Sequence, residues 1–300
     1  MDRKKELTGH LFAAAAIVVW GTTFISTKVL LRYISPVEIL FLRFSIGFLM
    51  LLVMYPHRLR VKDKKHELYF AAAGLCGITL YYLLENIALT YTFASNVGVI
   101  IAAAPFFTAI FAHLLLDGEK LRLRFFVGFA VAIAGISLIG FNGTQLQLNP
   151  AGDVLAVLAA AAWAIYSVLL RKISGFRYNA IQSTRRVFLY GLIFMIPALF
   201  IFGVDLTFEV FAEPAVILNI LFLGLGASAL CFVAWSSAVN TLGAVKTSVY
   251  IYMVPVITVV ASAIILNENI TVMAAAGTAL TLAGLFISEQ RSLLLRRREV

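Results

Sequence analysis

Residues 10–31, HLFAAAAIVVWGTTFISTKVLL, form an apolar run with a tryptophan near its centre and one cation close to its end. About 20 such residues, each rising 1.5 Å in a helix, span the roughly 30 Å hydrocarbon layer of a bilayer. Residues 152–171, GDVLAVLAAAAWAIYSVLLR, repeat the pattern, again with a central tryptophan. The same rule applied outward gives ten spans, near 10–31, 36–55, 68–89, 94–116, 123–141, 152–171, 181–203, 215–239, 244–266 and 270–289. These runs are continuously apolar, whereas a membrane barrel would show alternating segments of about ten residues. The expected fold class is therefore an all-α membrane protein.

Composition agrees. Of 300 residues, 62% are hydrophobic and only 13% charged, with a mean hydropathy of +0.96. Soluble domains carry about 25% charged residues to solvate their exterior. The two cysteines, Cys76 and Cys231, both lie inside apolar runs and provide neither a disulfide framework nor metal-ligand spacing. The first run lacks a small-x-small cleavage site, so it is expected to remain as a membrane span.

The basic surplus, 24 Lys and Arg against 15 Asp and Glu, is a topology signal rather than a nucleic-acid footprint. Eighteen of those cations fall at the N-terminus, at 58–65, 120–124 and 171–177, and at the C-terminal end, all on one side of a ten-span chain. The loop at 204–214 carries Asp205, Glu209 and Glu213 and no cation. Cytoplasmic loops accumulate Lys and Arg. The expected location is the inner (plasma) membrane, multi-pass, with both termini cytoplasmic. His57 and His66 lie close to that basic surface, and neither they nor His10 and His113 show ligand spacing.

The halves repeat each other. Trp20 and Arg43 recur as Trp163 and Arg186; Ala88, Ala94 and Pro105 recur as Ala238, Ala244 and Pro255; Gly128 and Gly135 recur as Gly277 and Gly284. The expected units are 1–145 and 146–300. Five spans per half is an odd number, so the second half must be inverted. The loop charges agree: the cations of the basic stretch at 57–65 and of Lys120 and Arg122 have no counterparts at 204–214 and 267–270. Inverted repeats are a construction principle of secondary transporters.

The residues also resemble a family. Trp20-Gly21-Thr22-Thr23-Phe24 followed by Arg43, and Ala88-Leu89-Thr90-Tyr91-Thr92 leading to Ala94, Pro105 and Gly118-Glu119, resemble an EamA-type half of the drug/metabolite transporter superfamily. The second half keeps Trp163, Arg186, Ala244, Pro255 and Glu268, with Asn267 where a glycine is usual. That departure bears on strict equivalence of the two loops. The resemblance implies helices 1, 3, 4, 6, 8 and 9 around a central cavity. It also implies transport of amino acids, other small metabolites or drugs by alternating access, more often outward.

Candidate site residues follow from depth and helical spacing. Pro105 and Pro255, inside the fourth and ninth spans, each remove a backbone donor and should kink their helix. Paired interruptions point to a substrate level, or else to a structural kink. Trp20 and Thr23 share a face with Thr27, and Trp163 shares one with Tyr166. Tyr82, Glu85 and Asn86 add a polar patch on the third span, and Trp235 an aromatic on the eighth. An aromatic wall with few polar groups suits a small-molecule pocket; interfacial anchoring is the alternative for Trp and Tyr. Glu85 is a candidate for proton coupling or for a cationic substrate group, or the partner of Arg43 in an ion pair. Recurrence of Arg43 as Arg186 favours a scaffold role for both. Lys246, followed on its face by Tyr250, replaces Asn96 of the first half and is a candidate for an anionic substrate group, or snorkels to the interface. Glu38, near the start of its span, is expected to stay hydrated.

The leading functional expectation is a secondary transporter or facilitator of a small metabolite. Its partners would be that substrate, the bilayer and, through Glu85, protons. No phosphate-binding loop or cofactor motif is present. A membrane-embedded enzyme would need a constellation such as H-E-x-x-H or G-x-S-x-G, and neither occurs. A channel or scaffold subunit is a third class, and no ring of like charge supports it.

Overall fold

The computed structural model describes residues 3–91, 97, 100–116, 123–140, 149–204, 208–265 and 271–289. Among these residues the chain is all helical, and the ten expected spans correspond to ten helices, α1 to α10. They are α1 (Arg3–Leu30), α2 (Pro36–Met54), and α3, built from Lys64–Gly74, a π-helical segment Leu75–Leu80 and Tyr81–Tyr91. The first half ends with α4 (Ala104–Leu115) and α5 (Leu123–Gly140). The second half holds α6 (Pro150–Gly175), α7 (Ala180–Phe202) and α8, built from Pro214–Leu221, a π-helical segment Phe222–Leu230 and Cys231–Leu242. It continues with α9, built from Ala244–Ser248, a tight turn Val249–Tyr252 and Met253–Ile265, and ends with α10 (Val272–Glu289). Six stretches are long and apolar enough to cross a bilayer alone, in α1, α2, α3, α6, α7 and α8; the described apolar stretches of α4, α5, α9 and α10 are shorter. The loops at 117–122 and 267–270, Ala94, Asn96 and the C-terminal arginines lie outside the described residues, as does the side chain of Lys28.

The helix starts are written locally. Asn149 accepts from the N–H groups of Ala151 (3.1 Å) and Gly152 (3.3 Å) ahead of Pro150, and Asn179 does the same for Ile181 (2.9 Å) and Gln182 (3.3 Å). At α2, Ser35 and Glu38 form a reciprocal capping box, with the Ser35 N–H donating to Glu38 Oε2 at 2.7 Å. Glu38 is only 3% exposed, so the expectation that it stays hydrated is corrected: the Ser35 N–H donates to its carboxylate in place of water.

Pairwise packing follows a two-fold pattern. α1 packs on α8 and α9, and its counterpart α6 packs on α3 and α4; α2 meets α8 as α7 meets α3; α2 meets α7, and α5 meets α10. The α5–α10 seam shows the inversion directly. Gly128 faces Gly284 and Ser288, while Gly135 faces Gly277 and Thr281, so these equivalent helices run antiparallel. A two-fold axis that carries 128 onto 277 and 135 onto 284 exchanges these two contacts and turns one half upside down relative to the other. Small residues are what allow backbones to approach this closely without a hydrophobic driving force between helices in lipid.

Candidate functional site

Where the two halves meet, helices α1, α2, α3, α4, α6 and α9 enclose a cavity of about 90 Å³. Its wall includes Ile17, Trp20, Thr23 and Thr27 of α1, Ile39, Leu40 and Arg43 of α2, and Tyr81, Tyr82, Glu85 and Asn86 of α3. Ile101, Ala104, Trp163, Ile251 and Val254 complete it. The family resemblance implied α8 in place of α2. Instead, α8 stands behind the wall and presents its π-helical segment to Trp20.

Backbone irregularity concentrates here. The π segments of α3 and α8 end at Leu80 and Leu230, the same place in each half. π turns are rare and recur at functional sites. A turn at Ala102–Ala103 precedes α4, and Pro105 lies in the first turn of that helix; Pro255 stands just after the tight turn Val249–Tyr252. A proline denies its donor to the carbonyl four residues earlier. Those residues are Ile101 and Ile251, and both line the cavity. The prolines therefore act through the backbone.

The aromatic wall is a contiguous cluster. The Trp20 ring meets Trp163 edge-on at 5.4 Å and Trp235 at 5.1 Å; Trp163 also meets Tyr81 at 4.9 Å and Tyr166 at 5.2 Å. Such contacts contribute about 0.5–1.5 kcal/mol each beyond area burial. Trp20 Nε1 donates to the Ala227 carbonyl at 2.8 Å, inside the π segment of α8. The Nε1 groups of Trp163 and Trp235 are buried without a partner. Thr23 turns its hydroxyl back to the Trp20 carbonyl at 2.7 Å.

The charged groups border the same rings. Arg43, 4% exposed, donates from Nε to Ser228 Oγ at 3.0 Å, and its guanidinium carbon lies 4.9 Å from the Tyr82 ring centre and 5.2 Å from that of Phe44. Glu85, 6% exposed, lines the cavity with Tyr81, one turn before it on α3, and with Arg43. Arg186, the counterpart of Arg43, is closed off: its Nη2 lies 2.5 Å from Glu67 Oε1, and Tyr190 donates to Oε2 at 2.9 Å.

Of the residues singled out in the sequence, Trp20, Thr23, Tyr82, Glu85, Asn86 and Trp163 meet at the cavity. Tyr166 and Trp235 are fully buried behind it, with Tyr166 seated on Gly77. Lys246 and Tyr250 point elsewhere, tying the start of α9 to α1 through Lys246–Glu6 (3.2 Å) and Tyr250–His10 (2.7 Å). Arg43, read as scaffold, and Tyr81 were missed as lining residues. Tyr81 is adjacent to Tyr82 and one turn before Glu85, so helical spacing could have found it.

Ten helices, inverted halves and a cavity at broken helices narrow the comparison. The pattern of the EamA-like transporter family matches residues 7–141 and again residues 150–289. The chain belongs to that family. It is accordingly a multi-pass membrane protein of a transporter family and not an enzyme. An "Uncharacterized transporter" of Archaeoglobus fulgidus is 29% identical over 286 residues, covering 93% of this chain and 96% of the relative. A "Probable terminal-alkyne amino-acid exporter" of Streptantibioticus cattleyicolor is 29% identical over 231 residues, 76% of this chain and 75% of its own. A solved structure described only as "Crystal structure of protein" superposes with a TM-score of 0.80 at 19% identity, covering 93% of this chain and 97% of the other, and shows the same fold. In this EamA chain the two matched regions meet at the cavity just described.

Proposed function

We propose that this EamA protein exports small metabolites, amino acids or related compounds, by alternating access, as a secondary transporter without a nucleotide motor. The observation that carries the reading is a cavity between the two inverted halves, lined by aromatic rings and by Arg43 and Glu85, beside the turns next to Pro105 and Pro255. Inverted-repeat transporters place their site beside such interruptions and rock one half against the other around it. The name of the Streptantibioticus cattleyicolor relative supports the amino-acid class. The loop charges support cytoplasmic termini in a plasma membrane. With that orientation, the contacts of Lys246 with Glu6 and of Tyr250 with His10 close the cytoplasmic side, leaving the cavity in the outer half.

Purified protein in liposomes, loaded in turn with a panel of amino acids, nucleobases and neutral solutes, should show saturable counterflow for at least one compound. Absence of saturation across the panel would remove the carrier reading. Adding a pH gradient tests protons as a coupling ion through Glu85. Orientation is tested separately: cysteines placed at 209–213 should react with an impermeant thiol reagent from outside intact cells.

A further inference from the structure

Two buried ionisable side chains, one basic and one acidic, border the cavity, yet Arg43 and Glu85 are not among the ion pairs that close to within 4.0 Å in the described residues. Arg43 is held by Ser228 on α8 and laid over Tyr82, and Glu85 lies beside Tyr81, one turn away on α3. A buried ion pair offsets its desolvation only when geometry is close and remaining donors and acceptors are filled. An open pair beside a cavity is therefore a site waiting for a ligand with both charges. The second half supplies the contrast. Arg186, in the place of Arg43, closes directly on Glu67, so there the same residue type is paired within the protein.

Symmetry gives the site a direction. The counterpart of Glu85 in the second half is Trp235, and that of Tyr82 is Phe232. The charged groups thus come from α2 and α3 of the first half, while Trp163 faces them from the second. Trp163 is nine-tenths buried, lines the cavity and carries an indole N–H without a partner.

From this arrangement we propose that the cavity is a head-group site for a zwitterion, in which Arg43 takes the carboxylate, Glu85 takes the ammonium, and the Trp20–Trp163 wall meets the side chain. The proposal rests on the transporter reading above and deepens it. Arg43 can present two parallel N–H groups to a carboxylate, a geometry that lysine lacks. Glu85, with Asn86 beside it, offers acceptors to an ammonium. Losing either charge of the ligand leaves one buried protein charge uncompensated, so both ends should be required.

The test uses the unmodified protein first, in phosphatidylcholine–phosphatidylglycerol liposomes, which contain no ethanolamine head group to compete. Counterflow of radiolabelled L-alanine should be inhibited by unlabelled L-alanine. L-Alaninamide, which lacks the carboxylate, and N-acetyl-L-alanine, which lacks the ammonium, should each need at least tenfold higher concentration. Arg43→Gln should abolish the discrimination between alanine and alaninamide, and Glu85→Gln that between alanine and N-acetylalanine, with each variant checked for monodispersity. Equal inhibition by all three compounds overturns the assignment, as does exchange of a neutral panel compound without exchange of alanine; in both cases the carrier reading survives. No exchange of any panel compound counts against both.

Discussion

Gly284 sits on α10 where a single methyl group should be felt across the molecule. A Cβ added there would lie 2.6 Å from the Gly128 carbonyl oxygen and 2.7 Å from Ala132 Cα, and closer still to the Ala132 nitrogen. All three are backbone atoms of α5, so no side chain can rotate away. Favourable contact needs about 3.5 Å, which would part the helices by roughly 1 Å and forfeit a quarter to a half of the dispersion wells along the seam. Overpacking of this kind costs about 1–3 kcal/mol, and alanine recovers up to about 1 kcal/mol through helix propensity. Gly284→Ala should therefore destabilise by a net 1–2 kcal/mol or so, lowering the unfolding midpoint by about 2–8 °C on the scale of 2–4 °C per kcal/mol. The native thiols provide the assay: Cys231 is buried, so a thiol-reactive dye in a temperature ramp reports its release. Gly175→Ala is the control, because nothing lies within 4 Å of a Cβ at the end of α6, and it should leave the midpoint unchanged or raised. A Gly284→Ala protein melting with or above that control would refute the close backbone seam.

Three further outcomes are expected. In a background without native cysteines, Gly128→Cys paired with Ser288→Cys should cross-link under oxidation, whereas Gly128→Cys paired with Gly277→Cys should not; the reverse result would mean the two helices run parallel. Trp20→Phe deletes the bond to the Ala227 carbonyl, whereas Trp163→Phe deletes an N–H that had no partner. The first should be less stable than the second by about 1 kcal/mol, and equal midpoints would discount the Ala227 bond. Lys246→Met should loosen the α1–α9 contact by about 0–1 kcal/mol, as for a partly exposed ion pair. It should increase cytoplasmic reagent access to a cysteine at Ile17, and unchanged access would mean that contact does not close the passage.

Most of the architecture was written in one dimension. Each span had to satisfy its own backbone hydrogen bonds in lipid, so length and hydropathy located ten helices without knowledge of their neighbours. Half of the site was equally legible, because Trp20, Trp163 and Glu85 are residue types that a lipid-facing surface does not need. The remaining placements depended on residues distant in the chain. Arg43 and Arg186 occupy equivalent positions in the repeat, and only the presence of Glu67 beside Arg186 separates a capped arginine from one open to the cavity. Glu67 is 119 residues away in the chain. Lys246 and Tyr250 looked like ligand contacts until Glu6 and His10, both 240 residues distant, were brought against them.

What the linear chain determined alone is the set of local choices: which segments are apolar enough to enter lipid, where caps start them, where prolines interrupt them, and that the pattern occurs twice. What tertiary structure decided is which side chains are satisfied by other parts of the protein and which are left facing the cavity. Spanning is settled helix by helix against the solvent, whereas the open or closed state of a charge depends on partners supplied from the other half.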